Sequence, residues 1–111
     1  MSQMTSTFDV LAEPTRRRIL DLIRDEERPV NELVAKLAIS QPGVSKHLRV
    51  LREAGLVELR QEAQWRVYRL RPEPLAEVDD WLARYRSLWE QRLDALHTEV
   101  ARGKRQQRSS T

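Results

Sequence analysis

The hydrophobic pattern of the chain changes its period at Gly55. Before this glycine, apolar residues recur at intervals of three and four, the spacing of amphipathic helices. After it, polar and apolar residues alternate as far as Leu70, the spacing of β-strands. The helical spacing returns at about Pro74 and continues to about Ala101. The chain therefore combines several helices with one small β-element, and this order restricts the folds that it can adopt.

Four helices are predicted before the β-element, at about residues 8–12, 14–24, 30–37 and 41–54. Ser40 is a good N-cap for the fourth helix, and Gly55 is placed to end it. The polar run from Asp25 to Pro29 is predicted to be a loop. A β-hairpin is predicted from about Leu56 to Leu70, although its turn has no glycine. The fold class is mainly α with a small β-hairpin, a winged helix-turn-helix that carries a long C-terminal helix.

The length and composition fit one small domain that is not cross-linked by disulfides or thiolate-bound metals. With 111 residues, the chain is predicted to form a single domain over residues 1–101, followed by a basic, disordered tail at 102–111. It has no cysteine, which excludes disulfides and thiolate metal sites. It shows neither a leader-like segment nor an apolar run of about 20 residues, so a cytoplasmic protein with no membrane partner is expected.

The charges are distributed unevenly along the chain. Residues 40–71 hold seven basic and three acidic residues, whereas residues 72–101 hold three basic and seven acidic ones. The basic segment coincides with the fourth helix and the hairpin. A basic patch on these elements is typical of proteins that bind nucleic acid.

The fourth helix presents the residue types that read DNA. In a helix-turn-helix, the N-terminal residues of the second helix contact base edges in the major groove. Gln41, Ser45 and Lys46 supply hydrogen-bond donors and acceptors there. Ser40 and the first backbone N–H groups can meet a phosphate. On the hairpin, Arg60, Arg66 and Arg69 are predicted to reach phosphates, with Arg66 near a minor groove. The alternative is a small helical domain whose polar face is only solvated.

The segments EPTRRRIL, ELVAKLAISQPGVSKHLRVLREAGLV and WRVYRL resemble the ArsR-type (ArsR/SmtB) family of bacterial winged-helix repressors. The resemblance implies a homodimeric repressor that leaves its double-stranded DNA operator when an inducer binds. By position, Gln41, Ser45 and Lys46 match the base-reading part of the recognition helix, with His47 and Arg49 close by. Glu13 departs from the family pattern, which often has Asp at this position.

The metal sites known in this family do not match the chain. Where the family can have a cysteine pair on the third helix, this sequence has Val34 and Lys36. On the last helix, the family spacing measured from His97 falls on Arg86 and Val100, which are not metal ligands. The chain is therefore similar to the cysteine-free branch, with no metal, no cofactor and an unknown inducer predicted. A metal-responsive repressor of the same family is the alternative.

The last helix carries an apolar stripe that is predicted to form a homodimer interface, through Leu82, Tyr85, Trp89, Leu93 and Leu96. The resemblance adds Phe8 and Leu11 of the first helix. The alternative is that the stripe packs only on its own domain. No enzyme is predicted, because the sequence has no cysteine nucleophile, glycine-rich phosphate loop or metal triad. A winged-helix module for protein–protein interaction is the remaining alternative function.

Overall fold

The computed structural model describes residues 6–109, except for the side chains of residues 98, 99 and 101–109. The chain divides into two compact units, with the boundary between Val78 and Asp79. This boundary falls inside the long last helix, where the sequence pattern indicates no break. The two units are described separately.

The described elements follow the predicted order, with one addition. They are α1 (Thr7–Leu11), α2 (Pro14–Ile23), β1 (Arg28–Pro29), α3 (Val30–Leu37), α4 (Gln41–Glu53), β2 (Val57–Glu62), β3 (Trp65–Leu70) and α5 (Leu75–Ser109). The helix-turn-helix pair is α3 and α4, and β2 with β3 forms the wing. The winged helix-turn-helix prediction is confirmed.

The added element is β1, which lies in the segment predicted to be a loop. Arg28 pairs with Tyr68 and Pro29 with Val67, so the antiparallel sheet has the order β1-β3-β2. The loop prediction is wrong for these two residues. A strand of two residues is too short to show alternation, and its pairing is fixed by residues far along the chain.

The core of the first unit gathers apolar residues from its helices and its sheet. The residues below a tenth exposed include Val10, Ile19, Leu20, Ile23, Leu33, Leu37, Val44, Leu48, Leu51, Leu56, Val57 and Tyr68. Most are the residues at helical spacing in the sequence. Their burial holds α4 against the rest of the unit and leaves its opposite face to solvent.

Local hydrogen bonds fix both ends of α4. The Ser40 Oγ accepts a hydrogen bond from the Gly43 backbone N–H at 3.1 Å, which is an N-cap. At the other end, Gly55 has a φ of +78°, and the Leu56 N–H donates to the Leu51 carbonyl at 3.0 Å. A glycine in the left-handed conformation commonly ends a helix in this way. Both end signals in the sequence are confirmed.

The last helix is longer than its pattern predicts. α5 runs from Leu75 to Ser109, whereas the apolar spacing predicts an end near Ala101. The disorder of residues 102–111 stays a prediction. In the part of the chain that the structure describes, no helix combines the length and apolar character that a membrane span requires.

Candidate nucleic-acid interface

The exposed face of α4 is polar along its whole length. Val44, Leu48 and Leu51 point into the core with at most 1% exposure. The exposed residues on the other side are Gln41, Pro42, Ser45, Lys46, Arg49, Arg52 and Glu53. The three residues predicted to read bases, Gln41, Ser45 and Lys46, thus lie together on the N-terminal half of one solvent-facing surface.

The start of α4 offers few free backbone donors. Pro42 has no N–H, and the Gly43 N–H is already bound to the Ser40 Oγ. The Val44 N–H donates to the Ser40 carbonyl at 3.0 Å. Among the described residues, this leaves the N–H groups of Ser40 and Gln41 and the Ser40 hydroxyl proton to meet a phosphate, which is less than an uncapped helix start would offer.

The seven basic residues of segment 40–71 fall into two groups. Arg69 forms an ion pair with Glu58 at 2.5 Å, and Arg71 pairs with Glu73 at 3.5 Å. Arg60 pairs with Glu27 and also with Glu62. The other four have no carboxylate within 4.0 Å among the described residues: Lys46, Arg49, Arg52 and Arg66. We call these four the free cations; three lie on α4 and the fourth at the end of the wing.

The wing ends in a turn of two residues, Ala63 and Gln64, between the paired residues Glu62 and Trp65. Ala63 has a φ of +54°, a conformation that usually takes glycine. Arg66 lies opposite Gln61 in the register. Because side chains alternate along a strand, Arg66 shares its face of the sheet with the buried Tyr68. Arg66 therefore lies on the same face as the core residues of the sheet, but further out towards the wing tip, where it is exposed.

Arg60 and Arg66 therefore differ, although both are predicted from the sequence to contact DNA. Arg66 is exposed and belongs to the free cations. Arg60 is held by Glu27 of the segment before β1 and by Glu62 of its own strand. To contact a phosphate, Arg60 has to leave two carboxylates, whereas Arg66 leaves only water.

His47 is half-buried on α4, and its Nδ1 is enclosed without a hydrogen-bond partner among the described residues. It interacts electrostatically with Glu13, the N-cap of α2. The Thr15 backbone N–H, which donates to the Glu13 carboxylate at 2.9 Å, holds the pKa of Glu13 below its ordinary value, and His47 lowers it further. Glu13 thus acts as a cap in spite of its departure from the family pattern. His47 lies between the polar face and the core.

The second unit exposes large apolar side chains at helical spacing. Trp81, Tyr85 and Trp89 are 45%, 44% and 41% exposed. Leu88, Leu93, Leu96 and Val100 are each about half exposed. We call these seven residues the α5 stripe. The Trp81 and Tyr85 rings contact each other, with centroids 5.2 Å apart. Arg92 joins Tyr85, Leu88 and Trp89 around a shallow hollow of about 190 Å³.

The other residues predicted for the dimer interface differ in exposure. Leu82 is half-buried, and so is Leu11, which packs against the core of the first unit. Phe8 on α1 is 38% exposed. Leu11 therefore contributes to the packing of its own unit. The sequence alone cannot distinguish this role from a role in a dimer interface.

Metal ligands do not gather in the described part of the chain. No group of three or more His, Asp or Glu residues suited to a metal is found there. Arg86, at the position where the family has a ligand, forms an ion pair with Asp79. The Glu99 side chain, which lies near His97 in the sequence, is outside the described residues.

Arg52 was not selected from the sequence as a DNA-binding residue. It follows Arg49 by three positions and Ser45 by seven, so the helical period places all three on one face. Arg52 is exposed and is one of the free cations. Its spacing was the signal that could have found it.

A family model matches the helix-turn-helix, and known regulators match larger parts of the chain. The family model of a helix-turn-helix domain matches residues 11–60. The arsenic resistance transcriptional regulator ArsR1 of Pseudomonas putida is 47% identical over 76 residues, 68% of this chain and 59% of that protein. The transcriptional repressor SdpR of Bacillus subtilis is 28% identical over 74% of this chain and 91% of that protein. A crystal structure described as a possible transcriptional regulator for arsenical resistance is 42% identical, with a TM-score of 0.65, over 86% of this chain and 96% of that one.

The matched region contains the free cations of α4. Residues 11–60 include α2, α3, all of α4 and the first residues of β2. The similarity to DNA-binding regulators therefore covers the same elements that carry the polar face.

Proposed function

Because the chain belongs to the ArsR family of winged helix-turn-helix transcriptional regulators, we propose that it is a homodimeric repressor of an inverted-repeat DNA operator. Membership of this family makes it a DNA-binding regulator and not an enzyme. The observation that carries the proposal is the position of the free cations. Lys46, Arg49, Arg52 and Arg66 lie on the helix and on the wing tip, the two elements that this fold presents to a duplex.

Base reading is assigned to Gln41, Ser45 and Lys46. An amide can bind the N6 and N7 atoms of adenine in a bidentate manner, and a lysine binds the O6 and N7 acceptors of guanine. All three side chains are exposed at the N-terminal half of α4, the part of a recognition helix that contacts base edges. These residues therefore set the sequence preference.

Phosphate binding is assigned to Arg49, Arg52 and Arg66, together with the Ser40 hydroxyl and the Gln41 N–H. Each cation that neutralises a phosphate releases condensed counterions, so its contribution depends on salt. Arg60 contributes less than these three, because its guanidinium is already paired with Glu27 and Glu62. His47 is half-buried beside this surface and contacts the duplex through its exposed edge.

The homodimer is assigned to the α5 stripe, with Phe8 as a further contact. Soluble proteins rarely expose this much contiguous apolar surface unless it binds something. Tryptophan, tyrosine and leucine in one stripe suit the centre of a symmetric interface. Two recognition helices held by such an interface read half-sites about one helical turn apart, roughly 34 Å.

The inducer proposed for this chain is not a metal ion. Val34 and Lys36 replace thiolates, and Arg86 is engaged by Asp79. Operator binding should stay unchanged when zinc, cadmium or arsenite is added. Stoichiometric release by one of them, abolished by His97→Ala, would instead establish the metal-responsive alternative.

Selection of bound duplexes from a random pool tests the main proposal. The recovered sequences should form an inverted repeat whose half-sites are separated by about one helical turn. Gln41→Ala should relax the preference at one position of each half-site, at a cost of about 1–3 kcal/mol on the preferred base. Recovery of no consistent motif would refute sequence-specific binding. A single unpaired half-site would refute the dimer alone.

A further inference from the structure

Among the described residues, no strand pairs with the outer edge of the wing. β2 lies at the end of the sheet order β1-β3-β2. The Arg71 N–H donates to the Leu56 carbonyl at 2.8 Å, and these two residues lie one step beyond the first pair of the register, Val57 with Leu70. Antiparallel pairs alternate between hydrogen-bonded and non-hydrogen-bonded ones. The N–H and C=O groups of Val57, Leu59 and Gln61 therefore point away from β3.

An open groove of about 700 Å³ runs beside this edge. Its lining includes Arg49 and Arg52 of α4 together with Val57 and Leu59 of β2. Pro74 also lines the groove. The groove thus brings together two free cations, apolar side chains and the outward backbone groups of two strand residues.

The acids in the groove are mostly engaged. Glu58 is paired with Arg69, and Glu73 with Arg71. Glu53 is the remaining acid of the lining. Arg49 and Arg52 have no carboxylate within 4.0 Å in the described part of the chain. An occupant with carboxylates on the α4 side would complement the groove.

The hydrogen-bonding groups at the edge of β2 determine which kind of anionic polymer can bind there. An edge strand presents both donors and acceptors. A phosphodiester backbone only accepts hydrogen bonds, so it would leave the outward carbonyls of Val57 and Leu59 facing its oxygens. An extended peptide supplies both partners at the repeat of a strand. Acidic side chains at alternate peptide positions project to the same side and can reach two guanidinium groups.

We propose that an extended acidic segment of a partner protein adds to β2 as a fourth strand, with its carboxylates on Arg49 and Arg52. Arg49 and Arg52 are also assigned to phosphate binding, so the peptide and the operator compete for both. For the repressor proposed above, this contact is a route of release from DNA by another protein. Peptide binding itself does not depend on the proposed function, whereas the competition does.

The test begins with selection of binders to the wild-type chain from a displayed library of random linear peptides. Enriched peptides should be acidic at alternate positions. On binding, they should slow hydrogen exchange of the Val57, Leu59 and Gln61 amides. They should also release the selected duplex from the wild-type protein.

Two charge reversals separate the groove from general electrostatics. Arg52→Glu should weaken an enriched peptide roughly tenfold or more, because a charge-assisted contact becomes a repulsive one. Arg18→Glu, an exposed cation of α2 outside the groove, should change the affinity much less. A peptide in which only the acid that faces residue 52 is replaced by lysine should recover binding to the Arg52→Glu protein. Circular dichroism of both variants checks that they fold.

The outcomes distinguish the two proposals. A failure to enrich acidic peptides, equal weakening by the two reversals or unchanged exchange of the three amides would each overturn the peptide site. Peptides that bind at β2 without releasing DNA would confirm the site but remove Arg49 and Arg52 from the operator contact. Loss of duplex binding in every assay, with peptide binding retained, would overturn the proposed function only.

Discussion

The two units of the chain treat their apolar side chains in opposite ways. In the first unit, Leu33, Leu48 and Leu51 are at most 1% exposed. In the second, Trp81, Leu88 and Leu93 are 45–57% exposed. Full burial of one such side chain is worth about 1.5–3 kcal/mol. The first unit obtains this stabilisation within a single chain, whereas the side chains of the α5 stripe still have about half of it to gain from another surface.

The cations repeat this contrast within the first unit. Arg60, Arg69 and Arg71 are satisfied by carboxylates of the same chain. Lys46, Arg49, Arg52 and Arg66 are not, within the range that the structure describes. In both cases the groups left unsatisfied are those that a partner can use. The residues proposed to bind DNA or a second subunit are therefore those whose interactions within the chain are incomplete.

The largest effect is expected from a charge in the α5 stripe. Leu93→Glu would bury a carboxylate in each half of a symmetric interface, which is costly without a partner charge. The protein should become monomeric and lose roughly 10³-fold of its operator affinity, keeping salt-sensitive non-specific binding. Sedimentation reports the assembly, and gel shift reports the binding.

Gln91→Glu is the matched control for this change. It adds the same charge two residues away, on an exposed side of α5 that lies off the stripe. This variant should stay dimeric. If Leu93→Glu also stays dimeric and binds normally, the stripe is not the interface, and the contrast between the two units has another meaning.

A pair of truncations compares the units directly. Leu51 is fully buried, so Leu51→Ala should lower the free energy of unfolding by about 3 kcal/mol through lost burial and a cavity. Leu88 is 57% exposed, so Leu88→Ala should cost much less in a monomer and act through dimerisation. Thermal unfolding at several protein concentrations measures both. Equal costs at low concentration would show that the stripe is stabilised within one chain.

Sequence reasoning worked where local chemistry decides the structure. The limits of α4 follow from the Ser40 cap and the left-handed Gly55, and both signals lie within a few residues of the helix ends. The polar face of α4 follows from the helical period alone. These features do not depend on what the rest of the chain does.

It failed where distant residues decide. The strand β1 exists because Arg28 meets Tyr68, forty positions further along the chain. Arg60 and Arg66 look alike in the sequence, but Glu27 reaches only Arg60. No local pattern contains either fact. The ion pairs of the folded unit are therefore needed to tell the two arginines apart.

That difference between Arg60 and Arg66 predicts a smaller, measurable effect. Arg66→Ala should weaken binding to all duplexes alike and lower the slope of log affinity against log salt by about one. Arg60→Ala should change the slope less, because its cation is already neutralised by Glu27 and Glu62. Titrations of one duplex at several salt concentrations decide this. Equal slope changes would show that the ion pairs of Arg60 yield to DNA.

The smallest effect is expected at the wing turn, where one residue with a side chain adopts a left-handed backbone conformation. Ala63 has a φ of +54°, and a residue with a Cβ is disfavoured there by roughly 1 kcal/mol. Ala63→Gly removes this cost but also gives the unfolded chain more freedom. We expect a net gain of about 0.5 kcal/mol in the free energy of unfolding. Ala35→Gly in α3 is the control, because the same change inside an exposed helix should lower stability by about 1 kcal/mol. Denaturant unfolding of both variants gives the two signs. A lower free energy of unfolding for Ala63→Gly would mean that the turn holds Ala63 without backbone strain.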